Sequence, residues 1–139
     1  MRELAIRDAS SDPVRMLAEK IQIAERIDQC LRNVWEFVPD PDGIEYVAAP
    51  ELQIRRAVDR ASVNGAPFAL WGDCDEAATL ASSLLRSMGY TAHIVAIRRA
   101  GVPEFSHVFC RWDGGDIDPT VPDRLLPISG YEEEMVVEV

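Results

Sequence analysis

The chain has 139 residues, 47% of them apolar and 27% charged, the length and balance of one globular domain, 1–139, with a core of its own. Its 24 acidic and 14 basic residues leave a net charge of −10, which argues against partners held by general electrostatics, nucleic acid or an anionic membrane. No apolar run approaches a membrane span, the first residues lack the apolar stretch of a secretory signal, and three widely spaced cysteines make no disulfide framework, so a reducing, cytoplasmic setting is expected.

In chain order, residues 3–8 read as a short strand or an extended arm. Ser-Ser-Asp-Pro at 10–13 is a helix start. Val14, Leu17, Ile21, Ala24, Ile27, Leu31 and Val34 then recur at helical spacing, so 13–36 is one long helix or two broken near 22–25. Val-Pro-Asp-Pro-Asp-Gly at 38–43 ends it. Residues 51–62 form a shorter, Arg-rich amphipathic helix that Asn64-Gly65-Ala66-Pro67 stops, and a loop leads to Trp71. The next helix runs from Cys74 to about Met88, with Gly89 as its stop and Ala77, Ala78, Ala81, Leu84, Leu85 and Met88 on its apolar face. Residues 91–98 and 105–112 are β-rich, Asp113-Gly114-Gly115 is a hairpin turn, and 116–119 begins a third strand. The tail, with Glu132-Glu133-Glu134 and Met-Val-Val-Glu-Val, is a late edge strand or a frayed end. The expected architecture is α+β: an antiparallel sheet with the Cys74 helix packed on one face.

The chemistry concentrates at Gly-Asp-Cys-Asp-Glu, residues 72–76. Asp73 is a good N-cap and Glu76 stands three residues later, which makes a capping box. Cys74 is then the first helical residue, where the helix dipole favours an anion and a thiolate is stabilised. A protonated His107 would lower the thiol pKa as well, and Asp73 and Asp75 would raise it. The lowering effects are expected to win, leaving Cys74 partly thiolate below neutral pH. Cys30 and Cys110 fit core patterns and read as buried filler, and His93 as a boundary residue. No short paired spacing of metal ligands, phosphate-cradling loop or dinucleotide fingerprint is present, so neither metal nor cofactor is expected.

Strand parity tests whether Asp118 can serve His107. A two-residue loop at 113–114 or 114–115 pairs residue 107 with 120 or 122, and Asp118 then shares the face of His107. With the smaller offset the two are diagonal neighbours, within reach of a carboxylate–imidazole hydrogen bond. A three-residue loop would put them on opposite faces.

Trp-Gly-Asp-Cys-Asp-Glu-Ala-Ala-Thr-Leu at 71–80 resembles the nucleophile helix of the transglutaminase-like superfamily, which has a papain-like α+β core. Phe-Ser-His-Val-Phe at 105–109 resembles its histidine strand, and Asp-Ile-Asp-Pro-Thr-Val-Pro at 116–122 its acid strand. Phe-Val-Pro-Asp-Pro-Asp-Gly-Ile-Glu at 37–45 is similar to a stretch in bacterial and tailed-phage members. The resemblance covers about 37–122. It implies Cys74 as nucleophile, His107 as general base and then acid, and Asp118 as the orienting group. The activity implied is thiol-dependent acyl transfer on amide bonds of a protein or peptide, hydrolysis being favoured over transamidation because so short a chain leaves little room for a second-substrate site. Some relatives place an upstream indole near the oxyanion. Phe37 occupies the comparable position here and has no N–H, leaving Trp35 or Trp71 as substitutes and the Cys74 backbone N–H as the donor of choice. The stretch 61–71 looks like an extra loop before the nucleophile. A non-catalytic binding or assembly module, phage- or prophage-associated and located with the virion if phage-encoded, is the alternative. Oligomeric state is left open.

Overall fold

The computed structural model describes all residues, Met1–Val139. It is α+β, with five helices and a four-stranded antiparallel sheet. Helix α1 spans Arg2–Asp8, where a strand or arm was expected. A window of six residues is too short to display a period, and packing decides: Ala5 is fully buried and its carbonyl accepts the Ser83 hydroxyl from the central helix at 3.1 Å. The long apolar repeat divides into α2 (Asp12–Ile21) and α3 (Ile27–Val34), with a 3₁₀ turn at Ala24–Arg26 between them. Gln22 ends α2 at a φ of 74°, a backbone conformation that breaks the helix where the sequence allowed a break.

Helix α4 covers Pro50–Asn64, with Pro50 at its first position and Gly65 closing it in the left-handed conformation. The buried Asp8 accepts the Glu51 N–H at 3.0 Å, so α1 caps α4 from across the chain. The expected loop at 61–71 is shorter than read. Its first residues complete α4, and its end is strand β2 (Leu70–Gly72), which pairs in parallel with β1 (Trp35–Phe37). Neither three-residue strand carries a readable alternation, since each exists through the other's hydrogen bonds.

Helix α5 runs Cys74–Ser87. Strands β3 (His93–Arg99), β4 (His107–Trp112), β5 (Gly115–Ile117) and β6 (Tyr131–Glu138) stand in the order β5-β4-β3-β6, all antiparallel. The tail is thus an edge strand on β3. Leu80, Ala81, Leu84 and Leu85 of α5 enter the main core with Ile94 and Cys110 of the sheet and Val14, Ile27 and Leu31 of the other helices. A smaller cluster, Val95, Ile97, Phe109 and Ile128, fills the opposite face. Apolar side chains on both faces of β3 and β4 are the mark of covered central strands. No helix is long and apolar enough to cross a membrane.

Candidate functional site

The capping box forms as its spacing requires. Asp73 Oδ1 accepts the Asp75 N–H at 2.9 Å, and Glu76 Oε2 accepts the Asp73 N–H at 2.9 Å. Glu76 does more than cap. Its Oε1 accepts the Ala48 N–H at 3.0 Å, which ties the segment before α4 to the start of α5. Gly72, at a φ of 148°, lies so close that an added Cβ would stand 2.7 Å from Glu76 atoms, so this lead-in to Cys74 requires glycine. The Gly72 carbonyl accepts the Val38 N–H at 3.0 Å, which extends the β1–β2 pairing to the residue before the cap. Cys74 follows as the first residue of α5, its N–H without an intrahelical partner.

The hairpin between β4 and β5 settles the parity question. Trp112 pairs with Gly115, leaving Asp113-Gly114 as a two-residue loop and putting Asp118 on the face of His107. His107 Nε2 lies 2.5 Å from Asp118 Oδ2. The carboxylate accepts, so Nε2–H donates, and Nδ1 is the ring nitrogen not engaged by Asp118. The imidazole also stacks on Phe109, with ring centroids 6.4 Å apart. Asp118 is only 1% exposed, and its other oxygen accepts the Thr120 N–H at 3.0 Å and the Thr120 hydroxyl at 2.6 Å. A buried carboxylate with that many donors is held in one orientation.

Cys74 is brought to the same end of the fold. Its thiol feels the Asp118 charge and is approached by the backbone N–H of Val108, the residue after His107. One expectation, a lowered thiol pKa, fails here. The thiol makes no hydrogen bond to the imidazole; its one side-chain partner is Asp75 Oδ1 at 3.9 Å. The pKa moves the other way. Burial pushes the Cys74 thiol up to about 12; Asp75, Asp73 and Asp118 add to the rise, and only the Val108 N–H opposes it. The helix end and the flanking aspartates are visible in sequence, whereas the largest effect is burial of the thiol, which packing alone decides. Asp75 is itself raised, first by burial and then by Asp73, Glu45 and Asp40.

The other two cysteines divide. Cys110 is fully buried, accepts the Ser82 hydroxyl at 3.3 Å, and has its thiol pushed up to about 12 by burial. Cys30 is half-buried and lines an apolar groove between α2, α3 and α4, so it is more accessible than the core filler expected. Of the three aromatic residues offered for the oxyanion, only Trp71 keeps an indole N–H that no hydrogen bond occupies. Trp35 Nε1–H is committed to the Gly72 carbonyl at 3.2 Å; Trp71 carries the Arg60 guanidinium 5.7 Å from its ring centroid; Phe37 is exposed. The backbone N–H of Cys74, at the first position of α5, is a second unpaired donor beside the thiol. Asp73, Cys74 and Asp75 place ligand atoms within 4.8 Å of one another, a cluster of consecutive residues that ligand-spacing rules do not detect.

Three residues of the site escaped the sequence reading. Asp28 and Arg32 on α3 bind the backbone of Asp118, and Thr120 binds its carboxylate. Asp28 and Arg32 look like an ordinary helical i,i+4 pair in sequence, and nothing there announces a target about ninety residues away. Asp-Pro-Thr at 118–120 did carry a signal for Thr120, since aspartate often bonds the backbone two residues on. Comparison with protein-family models, curated proteins and solved structures finds no match for this chain.

Proposed function

We propose that this chain is a thiol-dependent acyl-transfer enzyme of the transglutaminase-like, papain-like type, acting on amide bonds in a protein or peptide. The observation that carries the reading is the buried His107–Asp118 pair, 2.5 Å apart, at the end of the fold where the thiol of Cys74 opens a capped helix. Because the resting thiol is neutral, His107 acts as a general base during attack rather than as the partner of a preformed thiolate. Nδ1 takes the S–H proton as sulfur bonds to the carbonyl carbon, and the Cys74 N–H faces the developing oxyanion. Asp118 holds the ring and stabilises the imidazolium. The C–N bond then breaks, His107 returns the proton to the leaving amine, and a thioester remains on Cys74. Water, deprotonated by His107, hydrolyses it to the acid and the free thiol.

The missing thiol–imidazole bond and the raised thiol pKa favour a second reading, a vestigial member serving as a binding or assembly module, among phage or prophage proteins. Brief exposure to a p-nitrophenyl ester, followed by peptide mapping, separates the two. The enzyme acquires an acyl group at Cys74 with a burst of nitrophenolate, unaffected by EDTA, and Cys74→Ser or His107→Ala abolishes it. Equal, slow acylation of all three cysteines assigns the module. A burst lost with EDTA and restored by zinc assigns the chemistry to a metal on Asp73, Cys74 and Asp75 instead.

A further inference from the structure

We propose that Asp28 and Arg32 of α3 are positioning residues for Asp118, and through it for His107, an inference that rests on the reading of Asp118 as the acid of a thiol relay. Strand β5 ends at Ile117, so no ladder bond from β4 holds the residue that follows. Helix α3 takes over that task. Asp28 Oδ1 accepts the Asp118 N–H at 2.9 Å, Arg32 Nη2 donates to the Asp118 carbonyl at 2.8 Å, and Arg32 Nη1 donates to the carbonyl of Val121. Both backbone groups of the acid are therefore held by one pair of side chains, and the loop is held again three residues later.

The pair is built for this. Arg32 Nε and Nη2 reach Asp28 Oδ2 at 3.1 and 3.0 Å, a forked contact that fixes the guanidinium plane. Their side chains are only 17% and 16% exposed, unlike the other i,i+4 pair, Arg55–Glu51, at 60% and 35%. The charge arrangement also suits the purpose. Arg32 points at carbonyl oxygens and not at the Asp118 carboxylate, and Asp28 offsets its charge. The clamp thus fixes the backbone without competing with the imidazole for the carboxylate. Side-chain geometry follows: with N–H, carbonyl and Oδ1 all engaged, the free orientation of Oδ2 is the one that meets Nε2.

The test reads the His107–Asp118 bond directly. In the wild-type protein, the imidazole proton in this short, water-shielded bond gives a downfield exchangeable ¹H NMR resonance. Asp118→Asn and His107→Gln assign it, and His93 is the only other histidine. Asp28→Ala and Arg32→Gln are expected to lose the resonance while keeping a cooperative melt. Asp28→Asn, which retains an acceptor for the Asp118 N–H, is expected to keep it. Turnover of the p-nitrophenyl ester should fall by about ten- to a hundredfold in kcat, with KM unchanged, in the two variants that lose the signal. Should either fail to fold, Arg32→Lys carries the test, since an ammonium cannot reproduce the fork and should weaken the resonance. An unchanged resonance in folded Asp28→Ala and Arg32→Gln overturns the clamp. A resonance that responds as expected in a protein with no acylation at Cys74 upholds the clamp and sinks the thiol-enzyme reading.

Discussion

The Asp118 end and the Cys74 end of the proposed site are built on opposite plans. Asp118 is almost completely buried, and its backbone N–H, its carbonyl and both carboxylate oxygens have partners, drawn from α3, β4 and the following turn. Cys74 is half-buried and its sulfur has one weak side-chain contact, with Asp75. The backbone beneath the sulfur is as firmly set as that of Asp118, through the Asp73–Glu76 box and the fit of Gly72. Only the thiol itself is loosely held. A relay acid has to present one oxygen to one nitrogen, so over-determination suits it. A nucleophile has to turn from its resting contact to an incoming carbonyl, and a thiol that kept strong hydrogen bonds would have to break them first.

The contrast can be broken most sharply at the acid. Asp118→Ala should reduce turnover by up to about 10⁴-fold, as loss of an orienting acid does in related relays, with a far smaller relative effect on initial ester binding. Steady-state kinetics check this; a drop of only a few-fold would make the imidazole's orientation independent of Asp118.

The nucleophile end is sharpened by pH. With its thiol near 12, Cys74 should alkylate about tenfold faster for each pH unit through the neutral range, with no plateau. A plateau beginning below pH 7 would instead reveal a thiolate–imidazolium pair. The same shift appears in stability. The folded value of Cys74 lies above the ordinary 9.0, so the fold keeps a proton that the unfolded chain releases. That contribution is fully present below pH 9.0 and is lost as pH rises toward about 12. Cys110 adds a parallel loss, and Cys74→Ser should flatten the alkaline fall only in part. Denaturant midpoints across the alkaline range measure both.

A smaller effect separates cap from catalyst. Asp73→Ala should cost roughly 0.5–2 kcal/mol of stability, seen in urea unfolding, while leaving the His107–Asp118 imidazole resonance in place. Smallest is the response to probe charge. Asp75, Asp73 and Asp118 all act on the thiol with the same sign, so anionic iodoacetate should lag neutral iodoacetamide at Cys74 by about a few-fold more than at a free peptide cysteine, and added salt should narrow the gap. Equal ratios would mean that solvent screens the carboxylates after all.

What the sequence alone determined is what adjacent residues or strand parity determine. The capping box needs only Asp73 and Glu76 three apart. The position of Cys74 at the first turn follows from it, and the shared face of His107 and Asp118 follows from a two-residue hairpin loop and the alternation of a strand. The α+β division and the covering of β4 on both faces were legible for the same reason, since periodicity is local, and a break near Gln22 was one of the two forms the repeat allowed. Tertiary structure decided the rest, because each remaining feature depends on groups far apart in the chain. Helix α1 exists through its contact with Ser83, and β1 and β2 through each other. The Trp35 indole is spent on Gly72, and Asp28 and Arg32 act on residues 86 to 90 positions away. The direction of the Cys74 pKa belongs with these. Helix dipole and neighbouring charges can be read along a sequence, but the cost of removing a thiolate from water depends on everything packed around it, and here that cost is the largest effect.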